Sequence, residues 1–259
     1  MDDAPTYIYR LFKYRSIAGQ NRHYTGRIIT HGRIYYAAPK QFNDPFDCRF
    51  CVNMDGAPLN AFGLSRRDEI RAFSENRLWE ETNKDVSILS LSEVNDNILM
   101  WSHYSDSHTG ICLDLTFETS EELHQVRYTD VRPQFYFADV REQDRDHERY
   151  KNGILSTLTM KASHWAYEKE WRCIDFGGCG ERPMPRGMLA GIIFGCRTSE
   201  TDKRMVREWV ESASQSVRVR SRQCQGFPRN PGRFHPGSGL SPSLDQLGAI
   251  EREASFLVK

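Results

Sequence analysis

The chain has 259 residues, and its 35 lysines and arginines cancel its 35 aspartates and glutamates; such a balance gives no general attraction to a polyanion. Apolar residues at 39%, together with 18 glycines, fall in the globular range and exclude wholesale disorder or a fibrous repeat. No run approaches the ~18 apolar residues of a membrane span, and seven scattered cysteines lack the dense, even spacing of a secreted scaffold. A soluble, cytoplasmic protein with reduced thiols and no membrane partner is expected.

In chain order, Tyr7 to Tyr14 is rich in aromatic and β-forming residues and predicts a first strand. A helix closes at Thr30-His31-Gly32, where glycine supplies the left-handed residue, and Arg33 to Ala37 is a second strand. Pro39 and Asn43-Asp44-Pro45 punctuate a loop. Ser65-Arg66-Arg67-Asp68 caps an amphipathic helix that carries Ile70, Phe73 and Leu78 and runs to about Thr82. Ile88 to Leu91 is a buried strand. Asn97 caps a helix bearing Leu99, Met100, Trp101 and Tyr104, and Gly110 introduces an alternating strand from Ile111 to Phe117. A helix over Ala138 to Thr159, strands over Trp171 to Phe176 and Leu189 to Gly195, and a closing helix over Thr198 to Glu211 complete the pattern. Strands and helices alternate irregularly, which predicts an α+β domain with a mainly antiparallel sheet.

Composition shifts at Ser212: from there to Leu244 there is no Asp or Glu, while five arginines appear among Ser, Gly and Pro. One globular domain over 1–211 and a basic, disordered tail over 212–259 are expected, the tail offering at most a weak nucleic-acid contact.

Two segments could carry chemistry. If Trp165 to Arg172 enters a strand, side chains two apart share a face, so Glu168, Glu170 and Arg172 point one way and Tyr167, Lys169 and Trp171 the other. Two carboxylates on one face repel, which raises at least one pKa unless Arg172 offsets it. A site for sugar hydroxyls and an exposed strand with a weak ladder of ion pairs both fit. In Asn97 to His108, the histidines at 103 and 108 are five apart and fall on different helical faces, unlike paired zinc ligands, so no metal is expected. Trp101 and Tyr104 suit a core stripe, with His103 or Tyr104 reaching a cleft. Cys48 and Cys51 read as buried thiols, and Gly177-Gly178-Cys179-Gly180 as a turn.

Four motifs in order, Leu11 to Ser16, Ile34-Tyr35-Tyr36 with Phe42 to Asp47, Leu99 to Tyr104, and Tyr167 to Arg172, resemble the bacterial domain-of-unknown-function family 2971 from about Tyr7 to Trp209. The motif order is in turn similar to a divergent ADP-ribosyltransferase. That resemblance implies a split sheet with flanking helices, NAD as substrate and no metal. Tyr14 or Arg15 would take the first-strand role, Arg15 holding a phosphate, and the Tyr36 to Phe42 turn the second. Glu170, with Glu168 beside it, would stabilise positive charge on the ribose. Tyr36 or Trp101 would cover a ring, and His103, Tyr104 and Asn43 would orient an acceptor, whether protein, nucleic acid or small molecule, in a toxin or phage-defence setting. Ala37 and Ala38 depart from the serine of related sequences, and the Arg-, Gly- and Pro-rich terminus departs from their structured continuation. A non-catalytic binding or sensor module, and a hydrolase or nuclease using His103, remain open alternatives.

Overall fold

The computed structural model describes residues 8–55, 66–118, 123–136, 147–213 and 217–222. A compact unit extends to Gln223; the second unit, from Cys224, lies outside the described residues.

A seven-stranded sheet organises the first unit. Its strands, in spatial order, are β13 (Arg218–Ser221), β12 (Leu189–Phe194), β5 (Ile111–Glu118), β1 (Ile8–Arg15), β4 (Ser87–Ser92), β10 (Glu170–Asp175) and β6 (Leu123–Gln125). Neighbours are antiparallel except β12 and β13. Three two-stranded ribbons flank it: β2 (Arg33–Tyr36) antiparallel to β11 (Gly180–Pro183), and the parallel pairs β3 (Cys51–Asn53) with β8 (Gln134–Tyr136) and β7 (Arg127–Thr129) with β9 (Met160–Ala162). The mainly antiparallel α+β architecture expected from the irregular alternation is present.

Helices cover both sheet faces. Against one face, Ile28 and Ile29 of α1 (Gly19–His31) and Val206 of α5 (Glu200–Ser212) pack with Leu11, Leu89, Leu113, Leu115 and Ile192. Against the other, Leu78 of α2 (Arg67–Asp85) and Ile154 and Leu158 of α4 (His147–Leu158) cover Ile88 and Ile174, while Met100 and Trp101 of α3 (Ile98–Tyr104) cover Phe12, Tyr14 and Cys112. β5 is central and covered on both sides, so it is buried nearly throughout instead of alternating as expected.

The sheet is not continuous at its middle. β1 pairs with β5 through eight registered residues and β4 with β10 through six, but β1 meets β4 at the single pair Phe12–Ser92. Beyond it, towards Arg15 and Ser87, the two strands part. Lys13 Nζ donates to the Ser90 carbonyl at 2.8 Å, taking an acceptor that the parted strand leaves available.

Local signals explain most helix ends. Gly32 closes α1 at φ 61, and the Asn97 side chain accepts from the Leu99 and Met100 backbone N–H groups to start α3. Two expectations need correcting, and a third falls partly outside the described residues. α2 begins after Arg66 with no side-chain cap, Ser65 lying outside the described residues, and its buried stripe is Ser74, Leu78 and Thr82, four apart, which leaves Phe73 70% exposed. Of the helix expected over Ala138 to Thr159, α4 covers the later half, residues 137–146 lying outside the described set. Within the segment read as tail, Arg218–Ser221 is an ordered edge strand, and Arg222 donates to the Asp96 carbonyl at 2.6 Å with its guanidinium 5.4 Å from the Trp101 ring.

Candidate functional site

The split between β1 and β4 opens a cavity of about 340 Å³, towards the lower end of the ~300–1,000 Å³ usual for small-molecule sites. Lys13, Arg15, Ser90 and Glu170 contribute from the strands, and Phe42, Asn43, Tyr104 and Glu168 from the loop after β2, from α3 and from the turn before β10.

Beside it lies a buried charge cluster of Asp47, Lys161, Glu168, Glu170 and Arg172. Strand parity aims Glu170 and Arg172 to the same face. Glu168 joins them by a different route: a 3-10 segment over Ser163–Glu168 ends at Lys169 in a left-handed conformation (φ 44), which turns Glu168 inward. Arg172 Nε donates to Glu170 Oε1 at 2.9 Å, and its terminal nitrogens donate to Glu170 Oε2 at 3.1 Å, Asp47 Oδ2 at 2.7 Å and the Leu158 carbonyl at 2.6 Å. Lys161 Nζ donates to Glu170 Oε2 at 2.9 Å and to Glu168 Oε2. Tyr104 Oη donates to Glu168 Oε1 at 2.5 Å and accepts from Asn43 Nδ2 at 3.2 Å. The motif is therefore an interior network, not the exposed ladder of weak ion pairs that was the alternative.

The two carboxylates differ in proton affinity. Burial alone would raise the Glu170 pKa, but Arg172 and Lys161 outweigh it and hold it at about 2. Glu168 is raised, chiefly by burial, with the Glu170 charge adding to it and Lys161 opposing. Tyr104 is raised by burial and by the Glu168 charge. Lys13 is lowered to about 7, first by burial and then by Arg15.

Of the residues singled out in the sequence, Tyr14, Arg15, Asn43, Tyr104, Glu168 and Glu170 meet at this cavity. Three do not. Alternation along β2 gives Tyr35 to the cavity, while Tyr36 packs on the core with Arg182 5.9 Å from its ring. Trp101 is wholly buried, edge-on to Tyr14, and its indole N–H donates to the Asn95 carbonyl at 2.7 Å. His103 is exposed, with its ring 6.3 Å from that of Tyr104. Sequence reasoning missed Lys13, Ser90, Asp47 and Lys161. Lys13 and Asp47 stand inside quoted motifs, whereas nothing local marks Lys161, which the β7–β9 pairing carries into place.

Among the described residues no group of three His, Cys, Asp or Glu side chains could hold a metal ion, and no helix is long and apolar enough to cross a membrane. Cys48 is buried and Cys51 partly exposed, both as free thiols.

A curled, mostly antiparallel sheet with a charged cavity where β1 and β4 part defines an α+β protein with a candidate small-molecule site. Residues 100–173 match the model of a family described as "Protein of unknown function (DUF2971)", which bears out that resemblance over a segment containing Tyr104, Lys161, Glu168, Glu170 and Arg172. No curated protein and no solved structure matches the chain.

Proposed function

We propose that the cavity binds NAD and that the protein transfers its ADP-ribose to an acceptor. The observation that carries this reading is one cavity with Arg15, which forms no ion pair among the described residues, and the carboxylates Glu168 and Glu170 on its wall. Arginine's fork suits a phosphate, and a carboxylate that stays ionised suits a ribose that becomes cationic as the bond to nicotinamide breaks. The small hydroxyl that the resemblance calls for, missing at Ala37 and Ala38, has a counterpart in Ser90 on the cavity wall. Tyr35 and Phe42 take the ring-covering role first given to Tyr36 and Trp101, and Asn43 and Tyr104 face an incoming acceptor. Glu168, the carboxylate with the higher proton affinity, would accept the acceptor's proton as the new bond to C1′ of the ribose forms. The toxin or phage-defence setting rests on the resemblance alone.

NAD consumption by the wild type and by Glu170→Gln and Glu168→Gln tests the reading; equal turnover in all three removes both carboxylates from the mechanism. A binding or sensor module without chemistry is favoured by one feature: both Glu170 oxygens already accept from Arg172 and Lys161. Calorimetry with NAD and with candidate partners separates the two, since a module binds a partner while showing neither NAD affinity nor turnover. For the hydrolase or nuclease reading, His103 is exposed and does not line this cavity.

A further inference from the structure

Lys13 enters the cavity from β1 in an unusual state. Its Nζ is held by the Ser90 carbonyl, and no carboxylate is ion-paired with it among the described residues, because Lys161 takes the Glu168 and Glu170 oxygens. Its side chain is half-buried and lines the cavity. Arg15, two residues on along the same strand, is tied at Nε to Thr25 Oγ1 at 3.2 Å and likewise forms no ion pair among the described residues. Two half-buried cations with no ion-pair partner of their own are costly. An anionic ligand group offsets that cost at Arg15, which cannot deprotonate; Lys13 offsets it by losing its proton.

Burial acts most strongly on Lys13, Arg15 repels its charge, and Glu170 and Cys173 of β10 only partly oppose them, leaving its pKa at about 7. The other titratable groups on the cavity wall are Tyr14, Tyr35, Asp47, Tyr104, Lys161 and Glu168, whose acids are engaged by Lys161, Arg172 or Tyr104. A neutral amine is a nucleophile where an ammonium is not.

We propose that Lys13 is a reactive amine that condenses with the carbonyl carbon of a phosphorylated aldehyde or ketone whose phosphate Arg15 holds. The Nζ lone pair attacks the carbonyl carbon, and the two amine protons leave with the carbonyl oxygen as water when the C=N bond forms. Atoms balance, and no oxidant or reductant is needed. This chemistry goes beyond the NAD reading and does not rest on it.

The test uses the full chain, pyridoxal 5′-phosphate as probe, borohydride to fix the imine, and peptide mass spectrometry. Lys13 should carry most of the label at neutral pH. Pyridoxal, which lacks the phosphate, should label it about tenfold less or worse, the worth of one charge-assisted hydrogen bond, and Arg15→Gln should bring the phosphorylated probe down to that level. Lys13→Met should remove this label and leave the rest. The wild type alone gives a second readout: Lys13 labelling should rise with a midpoint near pH 7, against about 10.4 for ordinary lysines. Label spread over other lysines with Lys13 unmodified, or Lys13 labelling indifferent to the phosphate, overturns the proposal. Because NAD consumption is measured without the probe, turnover with an unlabelled Lys13 sinks this inference alone, and a labelled Lys13 without turnover sinks only the NAD reading.

Discussion

Glu170 and Arg172, two residues apart on β10, hold one another by two hydrogen bonds of 2.9 and 3.1 Å, with the guanidinium wholly buried. The same guanidinium reaches Asp47, so it ties the loop that closes the cavity to the sheet that floors it. Removing it strands two buried carboxylates with Lys161 as their remaining cation. Breaking a buried pair in this way costs about 3–5 kcal/mol. Arg172→Met should lower urea-derived stability by that amount, and Arg172→Lys should recover only part of it, since a lysine lacks the fork. A loss below about 1 kcal/mol in Arg172→Met, a magnitude typical of exposed pairs, would show that water rehydrates the cluster.

The acid limb of stability should carry a Glu170 signature. Its pKa is about 2 in the folded protein, against about 4.3 when unfolded. A depressed carboxylate stabilises the fold fully above the unfolded value, and that contribution disappears as pH falls through the folded one. The stability gap between wild type and Glu170→Gln should therefore be constant from pH 7 to 5 and narrow between pH 4.5 and 2. Denaturant midpoints across that range check it; a parallel pair of curves would mean that Glu170 titrates normally.

Lys13 gives a slope of the same sign in a higher pH window. Its folded pKa is lowered to about 7, from about 10.4 unfolded. The unfolded chain binds the extra proton between those values, so stability rises with pH there. Wild type should gain on Lys13→Met from pH 7 to 10, the reverse of what a lysine in an ion pair would do, and thermal melts of both proteins at three pH values suffice to see it.

At Tyr104 the substitution is smaller. Tyr104→Phe keeps the ring but removes the donor to Glu168 Oε1 and the acceptor for Asn43. That hydrogen bond favours ionised Glu168, so its loss should push the carboxylate pKa higher still. Carbon-detected NMR titration of the glutamate carboxyls should show an upward shift at Glu168 with Glu170 unmoved. A downward or absent shift would mean that the tyrosine does not govern Glu168.

What was legible in the sequence followed from local rules. Gly32 and Asn97 mark helix ends by their own conformational and hydrogen-bonding chemistry, and two-residue parity sufficed to put Glu170 and Arg172 together. The same parity grouped Glu168 with them, and the structure does so by another route, because Lys169 turns the chain before the strand begins. The resemblance pointed to Tyr36, whereas its neighbour Tyr35 lines the cavity, because β11 and the core set which face of β2 turns there. The alternation Val217-Arg218-Val219-Arg220 is a strand pattern, but the surrounding Arg, Ser and Gly obscured it. Lys161 had no local signal at all. Its role depends on a parallel pairing of β7 with β9, about thirty positions apart in sequence, of the non-local kind that loop closure makes hard to infer.

Two glycines near the sheet separate steric from conformational need. A Cβ on Gly110 would stand 2.3 Å from the Arg15 carbonyl, so the start of β5 can lie against the end of β1 only without a side chain there. Gly187 has φ +84 but open space around the missing Cβ. Gly187→Ala should cost about 1–2 kcal/mol, the penalty of a left-handed residue. Gly110→Ala must push backbone against backbone, and overpacking of that kind costs about 3 kcal/mol or more. Because the displaced backbone is that of Arg15, Gly110→Ala should also weaken phosphate-dependent labelling of Lys13 in whatever fraction folds, while Gly187→Ala leaves it unchanged. Unfolding curves and labelling of the two variants side by side decide the matter, and equal costs would mean that the contact at Arg15 relaxes without consequence.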